Sequence, residues 1–195
     1  MIEVIDDHGR RKFLALSAAA FAVAGIAASA VPFVESMEPS RRELAAGAPV
    51  EVDLHGLEPG MLTTIAWRGM PVWILRRTPA MLSTLPHHDD LLRDPASVEP
   101  QQPRNCQNAS RSIKPEYLVL VGICTHLGCS PSFRGNPATE DLGPTWPGGW
   151  FCPCHGSKFD LAGRVFKDVP APLNLRVPPN QYLSETRLRI GMDSA

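Results

Sequence analysis

Apolar and polar positions follow two different rhythms along this chain. From Phe13 to Val34 there is no alternation: 22 consecutive residues carry no charge. As a helix this run is about 33 Å long, enough to cross a bilayer. From Val50 onward, short runs of β-branched and aromatic residues take over, which is a strand pattern. Val50–Leu54, Met61–Trp67 and Pro71–Arg76 are predicted strands, punctuated by Pro59-Gly60 and by Gly69, which predicts a hairpin. Thr78–Leu85 predicts a short helix with Thr78 as N-cap and Pro79 in its first turn. Tyr117–Val121 is a further strand, and Leu173–Val177, Gln181–Glu185 and Arg187–Ile190 are read as closing strands.

Two stretches lack any period. Pro95–Pro115 reads as an irregular excursion over the strands, and Ser130–Trp150, punctuated by prolines and glycines, reads as turn chemistry in a surface insertion. His87-His88-Asp89-Asp90, between Pro86 and Leu91, reads as a solvated loop rather than a metal site. At 195 residues the chain fits one domain plus appendages. Its 20 prolines are about twice the usual share and suit a loop-rich β domain. A net charge of −1 gives no basic surplus, so no nucleic-acid partner is expected.

The apolar run follows Arg10-Arg11-Lys12, and adjacent arginines before an Ala-rich segment read as a twin-arginine export signal. Ala28-Ser29-Ala30 fits a signal-peptidase site, but cleaved apolar regions are usually only about 7–15 residues long. The reading is a retained anchor with a cytoplasmic N-terminus and the remainder outside the membrane. Ala20, Ala24 and Ala28 form a small-residue stripe suited to close packing on another helix. The expected organisation is a cytoplasmic N-terminus at 1–12, an anchor at 13–34, a tether at 35–49 and a β domain at 50–195. The tether, ending in Ala45-Ala46-Gly47-Ala48-Pro49, could span about 50 Å when extended.

The chemistry-bearing stretches are Cys124-Thr-His126-Leu-Gly-Cys129 and Cys152-Pro-Cys154-His155-Gly-Ser157. Each offers a cysteine and a histidine at ligand spacing and holds a second cysteine besides. A structural zinc site would use two cysteines and two histidines, but it gives Cys129 and Cys154 no matching role. It also leaves the glycines and the serine unexplained. Cys106 remains over and reads as a free structural thiol.

The two boxes closely resemble those of the Rieske iron–sulfur proteins, specifically the subtype found in quinol–cytochrome c reductase. The resemblance implies an all-β fold: a Rieske-type antiparallel domain with an inserted cluster-binding subdomain at about 122–168, preceded by one transmembrane helix. It implies a 2Fe–2S cluster with Cys124 and Cys152 on one iron and His126 and His155 on the other. A disulfide between Cys129 and Cys154 would join the two loops, which requires an oxidising compartment. Ser157 matches a hydroxyl donor to the cluster, Leu127 an apolar docking tip, and Pro170-Ala-Pro172-Leu-Asn174-Leu a loop covering the cluster. Two neutral imidazoles in place of two thiolates leave the oxidised cluster near zero charge, which raises its potential. An imidazole on such an iron gains proton affinity on reduction, so His155 or His126 is expected to take a proton from quinol. The electron would pass to a c-type cytochrome, with a b-type cytochrome in the same complex of the bacterial inner membrane and the head on the periplasmic side. Two alternatives share the four ligands: a subunit of a periplasmic molybdenum oxidase, and a Rieske ferredoxin or oxygenase component. Phe159 stands where many respiratory members of the family place a tyrosine that donates to a ligand sulfur.

Overall fold

The computed structural model describes residues 8–38, 40 and 47–192. Within the expected tether, positions 39 and 41–46 lie outside the described residues, as do 1–7 of the N-terminal segment. The chain divides into two units, Met1–Ala45 and Ala46–Ala195.

In the first unit, helix α1 (His8–Ser36) carries the charge-free run and has no buried residue. Phe13, Leu16, Phe21, Ile26 and Phe33 are all exposed. At 29 residues it is long and apolar enough to span a membrane. Apolar on every face, it is a candidate membrane span by length and composition.

The second unit contains three antiparallel three-stranded sheets. The central one joins β2 (Leu62–Trp67), β3 (Met70–Arg76) and β4 (Tyr117–Val121). Trp67 pairs with Met70 across a two-residue turn in which Arg68 and Gly69 have φ of 51° and 70°. Two positive φ values define the tight hairpin turn whose twist matches the strands.

All five residues of β4 are buried, because both faces of this sheet are covered. Leu118 and Leu120 share one core with Trp73 and Leu75, while Tyr117 and Val119 share another with Val72 and Ile74. The second core is completed by Leu188 and Ile190 of a sheet ordered β1 (Val50–Asp53), β9 (Arg187–Ile190) and β8 (Asn180–Tyr182). The first core is completed by Trp150 and Phe159 of the third sheet, β5 (Ser132–Arg134), β6 (Gly149–Phe151) and β7 (Lys158–Phe159).

Thr78 caps helix α2 (Pro79–Thr84) by accepting a hydrogen bond from the Met81 amide. Several sequence expectations are corrected. Residues 173–177 form no strand: their amides are taken by distant loops, Leu175 to the Gly163 carbonyl and Val177 to the Gln101 carbonyl, both at 2.8 Å. The expected strand Gln181–Glu185 ends at Tyr182, because Leu183 and Ser184 turn back onto the Arg187 carbonyl. The stretch Ser130–Trp150 is not turns alone, since β5 lies in it and pairs with β6. His87, Asp89 and Asp90 are exposed as expected, but the stretch forms 3-10 turns over Leu85–Leu91, kinked at His88, rather than an open loop. There His88 is buried with its Nε2 3.2 Å from Asp160 Oδ2, and Asp89 Oδ1 accepts from Arg164 at 2.7 Å.

Candidate metal centre

Two strands deliver the two boxes. β4 runs into Gly122 and Cys124, and β6 runs into Cys152. Gly122 is required by proximity, because a Cβ there would meet the Trp73 indole at 2.5 Å. That indole stacks on Trp150 with centroids 5.9 Å apart, tying the central sheet to the sheet of the second box.

The boxes fold into the same backbone loop. The Cys124 amide donates to the Cys129 carbonyl at 2.7 Å, and the Gly128 amide donates back to the Cys124 carbonyl at 3.1 Å. In the second box the Cys152 amide donates to the Ser157 carbonyl at 2.8 Å, and the Gly156 amide to the Cys152 carbonyl at 2.9 Å. Both turns need a left-handed residue, and Gly128 and Gly156 supply it with φ of 83° and 76°.

The disulfide implied by the resemblance is present between Cys129 and Cys154, with Cα atoms 6.6 Å apart. Cys124 and Cys152 are free and buried beneath it. The Cys152 sulfur lies within 4.8 Å of both disulfide sulfurs, but those two are bonded to each other and leave Cys152 available. Burial pushes the Cys124 thiol up; an amide hydrogen bond from His126 opposes this, and the neighbouring Cys152 adds to it. Cys106 stands apart, buried 3.9 Å from the Asn180 side-chain amide.

The His126 and His155 rings meet edge to face with centroids 4.7 Å apart. His155 is exposed, and beside the pair Leu127 is 71% exposed. His126 Nδ1 is buried and has no hydrogen-bond partner. A buried ring nitrogen without a partner is costly unless something binds it.

The Pro170–Leu175 segment is fastened to both loops. Ser157 Oγ accepts the Ala171 amide at 3.0 Å, and its hydroxyl draws the Cys124 thiol down against the effect of burial. Thr125 Oγ donates to the Leu173 carbonyl at 2.6 Å. Thr125 was not singled out by sequence reasoning. Its only sequence signal is its place between Cys124 and His126.

Two buried thiols, two adjacent imidazoles and an orphaned ring nitrogen fit a cluster whose irons take thiolate and imidazole ligands respectively. Metal binding would displace the thiol protons, because the thiolate and not the thiol is the ligand.

Comparison with known proteins agrees with this chemistry. The Rieske [2Fe-2S] domain family matches residues 95–179, and the Ubiquitinol-cytochrome C reductase Fe-S subunit TAT signal family matches residues 5–40. The chain is 55% identical over 184 residues to the ubiquinol-cytochrome c reductase iron-sulfur subunit of Allochromatium vinosum, covering 94% of this chain and 89% of that one. The subunit of the same name from Blastochloris viridis is 40% identical, with 93% and 92% covered. That from Bradyrhizobium diazoefficiens is 38% identical, with 95% and 96% covered. Identity at this level across nearly whole chains, joined to the paired loops, places the protein: it belongs to the family of ubiquinol-cytochrome c reductase iron-sulfur subunits, whose Rieske domain carries a 2Fe–2S cluster.

Proposed function

We propose that Cys124 and Cys152 hold one iron of the cluster and His126 and His155 the other, and that the chain carries electrons from quinol to a c-type cytochrome. The observation supporting this most directly is the stacking order of the site. Buried thiols lie innermost, the disulfide bridges the loops, and the imidazoles stand at the rim beside Leu127. Bound there, a Rieske cluster supplies a one-electron acceptor of high potential.

The protein's own residues do the rest. His155, exposed at the rim, accepts the hydrogen bond of the quinol hydroxyl at Nε2 and then takes its proton. His126, edge-on at 4.7 Å, fixes the plane of that ring. Leu127 offers an apolar contact that keeps water from the hydrogen bond, since polar contacts strengthen as water leaves. The Pro170–Leu175 segment, held by Ser157 and Thr125, keeps the two loops in register.

The apolar helix anchors the chain in the bacterial inner membrane with the β domain on the periplasmic side. Residues 35–49 tether the head so that it can move between a quinol site on a b-type cytochrome subunit and a c-type cytochrome. Extraction from membranes tests this reading. The chain should co-purify with b-type and c-type cytochromes, in a preparation that reduces cytochrome c with quinol. A chain that leaves the membrane with neither cytochrome would overturn the assignment.

A further inference from the structure

Three guanidinium groups are buried where the second ligand loop returns to the core. Arg77, Arg111 and Arg164 are 1%, 0% and 1% exposed, and among them stands one fully buried carboxylate, Asp160. All three converge on the turn from Asp160 to Arg164. Arg77 donates to the Leu161 carbonyl at 3.0 Å, and Arg111 to the Ala162 and Gly163 carbonyls at 3.1 and 3.2 Å. Arg164 Nε donates to Asp160 at 2.8 Å, and Asp160 also accepts the Ala162 and Arg164 amides.

The remaining partners are almost all neutral. Arg77 meets Pro115 O, Ser110 O and the Ser112 hydroxyl, and Arg111 meets the Gln102 side chain. Arg164 meets Leu85 O, Pro95 O and the half-exposed Asp89. Carbonyl dipoles solvate a cation but leave its charge in place, so the buried groups keep a surplus of positive charge. Burial pushes Arg77 and Arg111 down to about 10, with Asp160 opposing at both and the half-buried Asp94 also opposing at Arg111, so both stay charged at neutral pH and Asp160 is the one carboxylate buried with them.

The ligand loop is close by. Asp160 follows Ser157 by three residues, at most about 11 Å of extended chain, and the Ser157 carbonyl accepts the Cys152 amide. Phe159, next to Asp160, shares a buried core with Cys124 and Cys152.

We propose that Arg77, Arg111 and Arg164 form a positive base beneath the second ligand loop that raises the midpoint potential of the bound cluster, and that Asp160 moderates it. The proposal rests on the ligand assignment above. The electron comes from quinol, and no bond or proton changes at the arginines. They act as positioning residues through a field that favours the state with one more negative charge, felt strongly where water is excluded.

A purely structural hub would respond to lost hydrogen bonds, whereas a field responds to the sign of the charge removed. The test is a redox titration of the membrane-bound complex followed by the low-temperature spin-resonance signal, in which wild-type loading is read first and the ligand assignment is thereby checked separately. Arg111→Gln should lower the midpoint, by on the order of a tenfold change in the reduced-to-oxidised ratio, about 59 mV for one electron. Arg111→Lys should stay near wild type, and Asp160→Asn should shift the midpoint upward. Asp89→Asn, on a half-exposed partner of Arg164, should shift it upward more weakly and keeps the idea testable if the buried variants do not fold. Charge-removing variants of opposite sign that shift the midpoint in the same direction would overturn the proposal. So would Arg111→Lys shifting it as far as Arg111→Gln, or Asp89→Asn leaving it unmoved.

Discussion

The two ligand loops share one backbone and differ in what surrounds it. In each, the leading cysteine amide donates to a carbonyl five positions on, and a left-handed glycine at the fourth position donates back. The side chains then part company. The first loop leaves the fully buried β4 and turns Leu127 outward. The second buries Ser157 and leads directly into Phe159 and the arginine-lined turn at Asp160. A repeated backbone sets the donor atoms, while the flanking residues give one loop an outward contact surface and the other a buried electrostatic setting.

The strongest way to break this comparison is to remove a donor from either loop. Cys124→Ala and His155→Ala should each abolish the cluster, because under the proposed assignment each would take one of the two protein ligands from an iron. Iron content and the spin-resonance spectrum are the measurements, and a normal signal in either variant would strike that residue from the ligand set. Next comes the covalent link. Cys129→Ala or Cys154→Ala removes the bridge between the loops and should cost roughly 2–4 kcal/mol, the usual range for a native disulfide. The cluster should still assemble but be lost faster on warming. Equal retention of iron in wild type and variant would mean that the loops hold their register without the bond.

What the sequence made legible follows the range of the interactions involved. The hairpin at Gly69, the Thr78 cap and the strand Tyr117–Val121 depend on neighbours in sequence, and all are present. The Cys129–Cys154 pair was legible only through the resemblance, since spacing alone does not choose partners. His88 was misread because its partner, Asp160, lies 72 residues away. Arg77, Arg111 and Arg164 gave no local sign of burial either, as most of their acceptors belong to distant segments. Residues 173–177 have a strand's composition, but their amides meet loops rather than a sheet edge. Thr125 carries no signal in the sequence beyond its place between Cys124 and His126, because its hydroxyl has a role only with the Leu173 carbonyl opposite it.

The shared backbone makes a quantitative claim of its own. A Cβ at Gly128 or Gly156 would meet nothing within 4 Å, so alanine at either position is opposed by the left-handed φ alone. Both Gly128→Ala and Gly156→Ala should therefore cost roughly 1–2 kcal/mol, and nearly the same amount. Thermal melts of the two variants check this. A large inequality would show that the loops are alike in hydrogen bonding but not in strain.

The smallest effect concerns the asymmetry itself. Only the second loop runs into a buried aromatic, Phe159, fully enclosed and in one core with Cys124 and Cys152. A phenyl ring has no donor, while Ser157 already brings a hydroxyl to Cys124. A hydrogen bond to a ligand sulfur draws charge from the cluster and favours its reduced form. Phe159→Tyr places a hydroxyl in a closed core, where it must find an acceptor or carry a desolvation cost. If a ligand sulfur accepts it, the midpoint should rise by on the order of tens of millivolts, since about 1 kcal/mol corresponds to roughly 43 mV for one electron. If none accepts it, stability should fall while the midpoint stays in place. Redox titration and a thermal melt on the same preparation separate the two outcomes. A raised midpoint with an unchanged melt would show that the second loop's setting can be tuned without disturbing the backbone it shares with the first.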